Sequence, residues 1–456
     1  MITSAFLCAE LVFGAALGIL GACGSQGSGT VALDAAVPNA DSAGGSGASA
    51  GVGGTSTTGG SAGSGGVGAT STDAAEAGPW RGPTPPRDGI RFPFPQNRES
   101  ANCVYPSAYR NEDVQAAYEN WRNATVTSDG AGGHLRVRRP NEPGLEPNST
   151  VSEGIAYGML LAVYMGDQHL FDELWQYERL WLDDNGLMDW YVNAAGTLRL
   201  GTGAATDADE DMAFALVMAD RQWGGQGSLD RPYLDYARDQ IRRIWDREIY
   251  EGKLARAGDH WGDWSNVNIS YFAPAYYRVF SQIDGNDAGW QAVIKTVYDT
   301  IDNALNPSNR NETNGLVPAW CTSEGVPGSP GHYQYDSCRA PFRIGLDWCM
   351  FGEPRAREYV QKTSAFFSAI GADQIVDGYE LNGAPRPEFP GQRSAAFIGP
   401  AAVGAMSDSS HARFVDDAYA DVATNGLLAG GVYYETSWTV LSLLMLTGNF
   451  LDYTAY

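Results

Sequence analysis

Basic residues and histidine are scarce in this chain. It has 30 Lys and Arg against 54 Asp and Glu, a formal net charge of −24, and only five His. This surplus of negative charge repels nucleic acids and anionic lipids, so we expect a neutral partner. Beyond the first 23 residues, no segment is apolar for long enough to span a membrane.

Cysteine is also sparse, and four of the six cysteines (Cys103, Cys321, Cys338 and Cys349) lie beyond residue 87. No Cys-x-x-Cys or Cys/His pair has the spacing of zinc ligands, so we predict no metal and no cofactor. Cys321 and Cys338 flank the loop TSEGVPGSPGHYQYDS. A disulfide between these two residues and a pair of buried thiols are the two alternatives.

The N-terminus separates into two segments that precede the folded body. Residues 1–23 resemble a bacterial lipoprotein signal, with Cys23 as the lipidated residue after Leu-Gly-Ala; a plain cleaved signal peptide is the alternative. Residues 24–87 are mostly Gly, Ser, Ala and Thr, which cannot bury enough apolar surface to fold, and they predict a disordered linker. We therefore expect a body at 88–456 that is secreted or attached to the bacterial surface through a lipid, as a monomer.

The body has little strand alternation and many segments with apolar residues three and four apart, which indicates helices. Long loops rich in Gly, Asp, Asn and Trp separate these segments, a combination that suits a helical toroid with its site in the loops. About 369 residues would give roughly 60 for each of six helical hairpins. The predicted helical segments are 153–182, 212–223, 232–249, 269–283, 289–305, 341–352, 356–370 and 436–448.

Four carboxylates crowd the stretch TDADED at 206–211, directly before an apolar helix. A capping box that starts at Thr206 or Asp207 would account for one or two of them. An EF-hand calcium loop is excluded, because its sixth and twelfth positions require Gly and Glu and are Met212 and Met218 here. A calcium site of another kind is an alternative. Acid/base catalysis is the main remaining interpretation, and it needs a second carboxylate elsewhere.

Two other segments offer that carboxylate at the start of a predicted helix. Glu153 lies between the small residues Ser152 and Gly154, where a large ligand could approach; a capping box with Thr150 is the alternative. Asp336 lies three residues before Arg339, and its alternative is a helix N-cap paired with that arginine.

These segments together resemble glycoside hydrolase family 8. SEGIAYGM resembles the acid segment of the family and YDSCRAPFRIGLDW its base segment, and 268–280 and 433–444 also resemble family segments. The resemblance extends from about residue 100 to the C-terminus. Its signature positions are filled by Ala205, Thr206, Asp207, Ala208, Asp209, Met212, Ala213, Ala219 and Trp223.

The resemblance implies an all-α (α/α)6 barrel, six helical hairpins in a toroid, with long loops that form an open substrate cleft. It also implies an inverting hydrolase with Glu153 as general acid, Asp336 as general base and Asp207 holding the distorted sugar. Arg339 and Tyr271 are implied to orient the base and its water. Asp336 places the chain in the subgroup with an aspartate base and argues against the chitosanase subgroup, which lacks it.

Aromatic residues near these motifs could stack on the apolar faces of sugars, although most aromatics at helical spacing are core. We predict Trp190 and Trp261 as platforms because both lie in loops rich in Asp, Gly and Asn, and Tyr157 and Tyr276 as further candidates. Four other tryptophans are assigned to packing: Trp175, Trp181, Trp245 and Trp438.

The expected function is endo-acting hydrolysis of a neutral β-1,4-linked polysaccharide, either xylan or a cellulose-type glucan. An exo-oligoxylanase that releases reducing-end xylose is an alternative, depending on whether a loop such as 309–335 blocks one end of the cleft. A non-catalytic carbohydrate-binding relative is disfavoured by the three acidic positions. A polysaccharide lyase fits poorly, because that chemistry uses Tyr, His or Arg beside an acidic sugar.

Overall fold

The computed structural model describes residues 90–140, 145–388, 393–425 and 432–456. Within these ranges the chain forms twelve α-helices joined by loops and short strands. The helices are α1 (Asn111–Thr125), α2 (Ser152–Met165), α3 (Gln168–Glu178), α4 (Thr206–Trp223), α5 (Tyr233–Arg247), α6 (Pro274–Asp284), α7 (Asp287–Ala304), α8 (Ala340–Phe351), α9 (Pro354–Ile370), α10 (Ala395–Ala405), α11 (Ala412–Asn425) and α12 (Val432–Leu446).

Buried and amphipathic helices alternate along the chain. All 14 residues of α2 and all 11 of α10 are buried, as are 16 of the 18 in α4. The odd-numbered helices bury one face only, as α5 does with Tyr236, Ile241 and Ile244. A helix that is buried all round must be surrounded by others, so the even-numbered helices form an inner layer.

The inner helices form a closed ring. Each even-numbered helix contacts the next one, from α2 through α4, α6, α8 and α10 to α12, and α12 contacts α2. The odd-numbered helices pack against the inner ones from outside, as α3 does against α2, α9 against α8 and α10, and α1 against α12. The (α/α)6 barrel implied by the resemblance is therefore confirmed.

The predicted helical segments agree with the structure except at one break and three omissions. The segment 153–182 divides into α2 and α3 at Gly166, whose φ of 74° ends α2 in the left-handed region. Helices α1, α10 and α11 were not predicted. The sequence of α10, AAFIGPAAVGA, contains two glycines and a proline, which are poor helix formers, and its complete burial outweighs that preference.

Short antiparallel strands fix the loops between the helices. A three-stranded sheet pairs β3 with β4 and β4 with β5. Since β3 ends at Val151 and α2 begins at Ser152, this sheet anchors the residues just before Glu153. The strands are β1 (Val126–Thr127), β2 (Arg136–Val137), β3 (Thr150–Val151), β4 (Tyr191–Val192), β5 (Arg199–Gly201), β6 (Ile249–Tyr250) and β7 (Leu254–Ala255).

The disulfide predicted between Cys321 and Cys338 is wrong. Cys103 and Cys349 form the bond instead, with Cα atoms 5.4 Å apart and 246 positions between them in sequence. Cys321 and Cys338 are buried free thiols, the alternative considered from the sequence. The two cysteines meet because the segment before α1 packs against α8. No local sequence pattern reveals this contact.

The part of the chain that the structure describes contains no helix long and apolar enough to cross a membrane. The predicted lipoprotein signal at 1–23, with Cys23, and the predicted linker at 24–87 lie outside the described residues.

Candidate active site

The N-terminal ends of the inner helices meet at one place. Glu153 lies in the first turn of α2 and Asp207 in the first turn of α4. Arg339 is the N-cap residue of α8, and Tyr433 lies in the first turn of α12. Tyr271 ends the short 3-10 helix Ile269–Tyr271, just before α6. Helix N-termini carry partial positive charge, so their convergence favours a site that contains carboxylates.

The guanidinium of Arg339 joins the three carboxyl groups predicted from the sequence. Its Nη1 donates to Glu153 Oε2 at 2.6 Å and to Asp207 Oδ2 at 2.5 Å. Its Nη2 lies 3.8 Å from Asp336 Oδ1. Arg339 is only 1% exposed, so these interactions take place out of bulk water, where charges interact more strongly.

Burial makes Glu153 a weak acid. Desolvation raises its pKa to about 7, and the nearby Asp207 and Asp336 add to the rise. Arg339 and a hydrogen bond from Tyr433 act in the opposite direction. The Tyr433 hydroxyl donates to Glu153 Oε1 at 2.6 Å. Glu153 therefore exchanges its proton near neutral pH, which suits a general acid.

Asp336 is positioned by two hydrogen-bond donors that share one of its carboxyl oxygens. Gln334 Nε2 donates to its Oδ2 at 3.0 Å, and Trp320 Nε1 donates to the same oxygen at 3.3 Å. Burial raises the pKa of Asp336, while Arg339 and these two donors lower it. Its Oδ1 faces Arg339. The donors thus favour the ionised form at a position where burial alone would favour the neutral one.

The alternative interpretations of Glu153 and Asp207 as helix caps are wrong. The N-cap residues of α2 and α4 are Val151 and Ala205, and neither makes a side-chain capping hydrogen bond. The N-cap interpretation of Asp336 is also wrong, because Arg339 occupies that position in α8. Capping therefore does not explain why these acidic residues are present.

Only one of the four carboxylates at 207–211 reaches the site. Asp211 forms a buried bidentate ion pair with Arg343, with N to O distances of 2.9 and 2.8 Å. The other two are buried against neighbouring helices. Glu210 accepts a hydrogen bond from Tyr277 at 2.6 Å, and Asp209 accepts one from Gln240 at 2.8 Å.

Three of the predicted aromatic residues lie close to Arg339 or to Asp336. The ring of Tyr271 lies 5.0 Å from Arg339 Cζ, and the Tyr157 hydroxyl lies 3.4 Å from Arg339 Nη1. Tyr157 is fully buried, so it is wrong as a sugar platform. Trp261 is half-buried, and its ring centroid lies 5.8 Å from that of Trp320. Trp261 thus lies beside a ring that donates to Asp336.

The other aromatic predictions have mixed outcomes. Trp190 is half-buried beside Tyr191, and its carbonyl accepts a hydrogen bond from the Ser152 amide, next to Glu153. Tyr276 is wrong as a sugar platform, because it is buried in the core with its ring centroid 4.0 Å from that of Phe214. The four tryptophans assigned to packing all belong to the core or pack against it: Trp175, Trp181, Trp245 and Trp438.

Sequence reasoning missed the donors Trp320, Gln334 and Tyr433. Tyr433 lies in a segment that resembles the family, which was a usable signal for its importance. Trp320 and Gln334 lie in the long loop between α7 and α8, where no periodicity indicates which side chains face the site.

Comparison with known proteins identifies the family of the chain. The sequence profile of the family described as Glycosyl hydrolases family 8 matches residues 92–448. Endoglucanase A of Acetivibrio thermocellus is 38% identical over 74% of this chain and 69% of its own length. Endoglucanase C of Ruminiclostridium cellulolyticum is 35% identical over 80% of this chain and 78% of its own length.

More distant relatives differ in their named activity. The reducing-end xylose-releasing exo-oligoxylanase Rex8A of Paenibacillus barcinonensis is 26% identical over 77% of this chain and 96% of its own length. Among solved structures, the apo β-1,3-1,4-glucanase of Paenibacillus sp. X4 superimposes with a TM-score of 0.71 at 29% identity. The match covers 78% of this chain and 98% of that one.

Proposed function

Because the chain belongs to glycosyl hydrolase family 8, we propose that it is an inverting endo-β-1,4-glucanase in which Glu153 is the general acid and Asp336 the general base. The observation that supports this most strongly is the joining of Glu153, Asp207 and Asp336 by the single guanidinium of Arg339. Three buried carboxyl groups around one positive charge cannot all be ionised at low cost, so one of them retains a proton.

The first step is protonation of the departing oxygen. With a pKa of about 7, Glu153 is protonated in about half of the molecules at neutral pH and in most of them in slightly acidic solution, and it can deliver its proton to the glycosidic oxygen as the bond breaks. The proton leaves from Oε1 or Oε2, which contact Tyr433 and Arg339. Both contacts favour the carboxylate, so they stabilise the charge that develops after the transfer.

The second step is activation of water. Gln334 and Trp320 occupy Oδ2 of Asp336, which leaves Oδ1 to accept a proton from the attacking water. Inversion requires the two carboxyl groups to stand about 6.5–9.5 Å apart, so that water fits between base and sugar. Glu153 lies 2.6 Å from one nitrogen of Arg339, and Asp336 lies 3.8 Å from another. These two distances plus the width of the guanidinium set an upper limit on the separation of the two carboxyl groups, and that limit is consistent with the required range.

Asp207 completes the group as the residue that holds the sugar at the cleavage point. Its Oδ2 is fixed by Arg339 and its Oδ1 by the Ala208 amide. A carboxylate fixed in this way can accept hydrogen bonds from sugar hydroxyls, and such bonds strengthen in a distorted, transition-state-like ring. Trp261 and Trp190 are proposed as stacking platforms for flanking sugars.

A β-glucan is favoured over xylan as the substrate. The two relatives at 35% and 38% identity are named endoglucanases, whereas the exo-oligoxylanase is only 26% identical. The test is to incubate the purified protein separately with cellohexaose and xylohexaose and to separate the products by chromatography, with Glu153→Gln as the inactive control. Internal cleavage of cellohexaose is expected. Release of xylose and xylopentaose alone would instead identify an exo-oligoxylanase, and no cleavage of either a non-catalytic relative.

We also propose that the protein is exported and attached to a bacterial membrane through lipidated Cys23. The disulfide between Cys103 and Cys349 supports export, because such bonds persist mainly in oxidising compartments. Expression of the chain with Cys23→Ser in a bacterial host should move it from the membrane fraction to the soluble fraction. An unchanged distribution would contradict lipidation.

A further inference from the structure

A second group of ionisable side chains lies in the loops outside the site around Arg339. Asp183 follows α3, and Asp259 and His260 follow β7. His260 Nε2 lies 3.3 Å from Asp259 Oδ2 and 3.6 Å from Asp183 Oδ2. One ligand atom from each of the three residues can be chosen so that all lie within 4.8 Å of one another.

Each carboxylate uses one oxygen to bind the backbone and presents the other to His260. Asp183 Oδ1 accepts from the Asn185 and Leu187 amides at 2.8 and 3.1 Å, and Asp259 Oδ1 accepts from the Ala204 amide at 2.8 Å. The Asp183 side chain is 7% exposed, and its Oδ2 accepts no hydrogen bond from an N–H or hydroxyl group of the described residues; the Asp183 carboxyl interacts with the carboxyl of Asp259. Ligating carboxylates are commonly fixed by hydrogen bonds in this manner.

Among the described residues, the two carboxylates have no partner with a fixed positive charge. Within the described ranges, neither Asp183 nor Asp259 forms an ion pair with Lys or Arg. The nearest further polar group is the amide of Asn185, whose Nδ2 lies 2.5 Å from Asp259 Oδ2 and 3.2 Å from His260 Nε2. Two adjacent carboxylates are costly unless they share a proton or bind a cation, and a bound cation would allow both to be ionised.

We propose that Asp183, Asp259 and His260 bind a divalent transition-metal ion, with Zn²⁺ the best match. Ligands at about 2.0–2.2 Å from a tetrahedral ion stand roughly 3.3–3.6 Å apart, which agrees with the two distances from His260. A water would fill the fourth position. Ca²⁺ and Mg²⁺ fit less well, because they take six or more oxygen ligands and an imidazole suits Zn²⁺.

The ion would tie together loops that border the active site. Asp259 binds the Ala204 amide, three positions before Asp207, and His260 precedes Trp261. Asp183 belongs to a different loop, so the metal would link that loop to the segment leading into α4. Its role is to stabilise these loops; it does not take part in the reaction around Arg339.

The experiment is zinc titration of the untagged full chain after removal of metals with a chelator, by calorimetry and by thermal unfolding. His260→Ala and Asp183→Asn each remove one ligand. Their matched controls are His169→Ala, an exposed histidine on α3, and Asp184→Asn, an exposed aspartate next to Asp183. Ca²⁺ and Mg²⁺ are titrated in parallel.

The wild type and both controls are expected to bind one Zn²⁺ at this site and to unfold at a higher temperature with it. His260→Ala and Asp183→Asn should lose at least tenfold in affinity and most of the thermal shift. Equal zinc affinity in wild type and His260→Ala, or no zinc-dependent shift in the wild type, would overturn the proposal. Stabilisation by Ca²⁺ or Mg²⁺ but not Zn²⁺ would also overturn it.

Discussion

Two buried ion pairs between α4 and α8 lie one helical turn apart and differ in how the arginine is used. Asp207 pairs with Arg339, and Asp211, four residues later, pairs with Arg343. Arg343 uses two nitrogens on the two oxygens of Asp211, a closed bidentate pair. Arg339 instead contacts Glu153 and Asp336 as well as Asp207. We therefore assign the pair of Arg343, which contacts one carboxylate, to stability. The pair of Arg339, which contacts three carboxylates, is assigned to catalysis.

The largest expected effect is loss of activity in Glu153→Gln and Asp336→Asn. Each removes an acid or base worth about 10²- to 10⁴-fold in rate, while both replacements keep the shape of the side chain. We therefore expect kcat on cello-oligosaccharides to fall by about 10²- to 10⁴-fold, with the far-ultraviolet circular dichroism unchanged. A wild-type rate in either variant would remove that residue from its assigned role.

A substrate with an activated leaving group distinguishes the role of Glu153 from that of Asp336. A dinitrophenyl cello-oligoside does not need protonation on departure, so Glu153→Gln should recover much of its rate on this substrate. Asp336→Asn should not, because the attacking water still lacks its base. Recovery by Asp336→Asn alone would reverse the two assignments.

The next largest effect is expected in the free energy of unfolding, where Asp211→Asn is compared with Asp207→Asn. Loss of Asp211 leaves Arg343 buried and unpaired, which costs about 3–5 kcal/mol. Loss of Asp207 leaves Arg339 with Glu153 and Asp336, so its cost in stability is expected to be small, while kcat falls at least a hundredfold. Urea unfolding measures the first quantity and steady-state kinetics the second. The comparison fails if Asp207→Asn is the less stable variant.

Tyr433→Phe is expected to shift the pH dependence of the reaction. The hydroxyl of Tyr433 favours ionised Glu153, so its loss should raise the pKa of Glu153 above about 7. Because the acid must be protonated, the alkaline limb of kcat/KM should move to higher pH. Tyr359→Phe, a buried tyrosine on α9, is the control. An alkaline limb that stays in place or moves to lower pH would contradict the assignment.

The smallest effect is expected for Trp320→Phe, at the opposite limb. The indole donates to Asp336 at 3.3 Å and lowers the pKa of that carboxyl, and Gln334 remains as a second donor. Asp336 must be ionised to act as a base, so its higher pKa should move the acidic limb of kcat/KM slightly to higher pH. A shift of the acidic limb to lower pH is incompatible with this role.

The residues around Arg339 were largely predictable, because each stands at a loop-to-helix junction within a motif that resembles the family. The sequence could not tell which of Asp207, Asp209, Glu210 and Asp211 reaches the site. All four lie in the first turns of α4, and their directions depend on the helices packed around them. Only the structure shows that Asp211 is neutralised by Arg343.

Contacts between residues far apart in sequence could not be predicted from local sequence patterns. The bond between Cys103 and Cys349 joins residues that are 246 positions apart in sequence. Trp320 donates to Asp336 from a loop whose sequence has no periodicity. The helix α10 was missed because complete burial outweighs the poor helix propensity of its Gly and Pro. In each case the deciding energy comes from tertiary packing.

The most direct measurement is proton NMR of the anomers released from cellohexaose in the first minutes of cleavage, before mutarotation. The assignment of Glu153 as acid and Asp336 as base on opposite faces of the sugar predicts that the new reducing ends first appear as the α-anomer. Appearance of the β-anomer first would mean retention through a covalent intermediate, and would contradict the roles given to both residues.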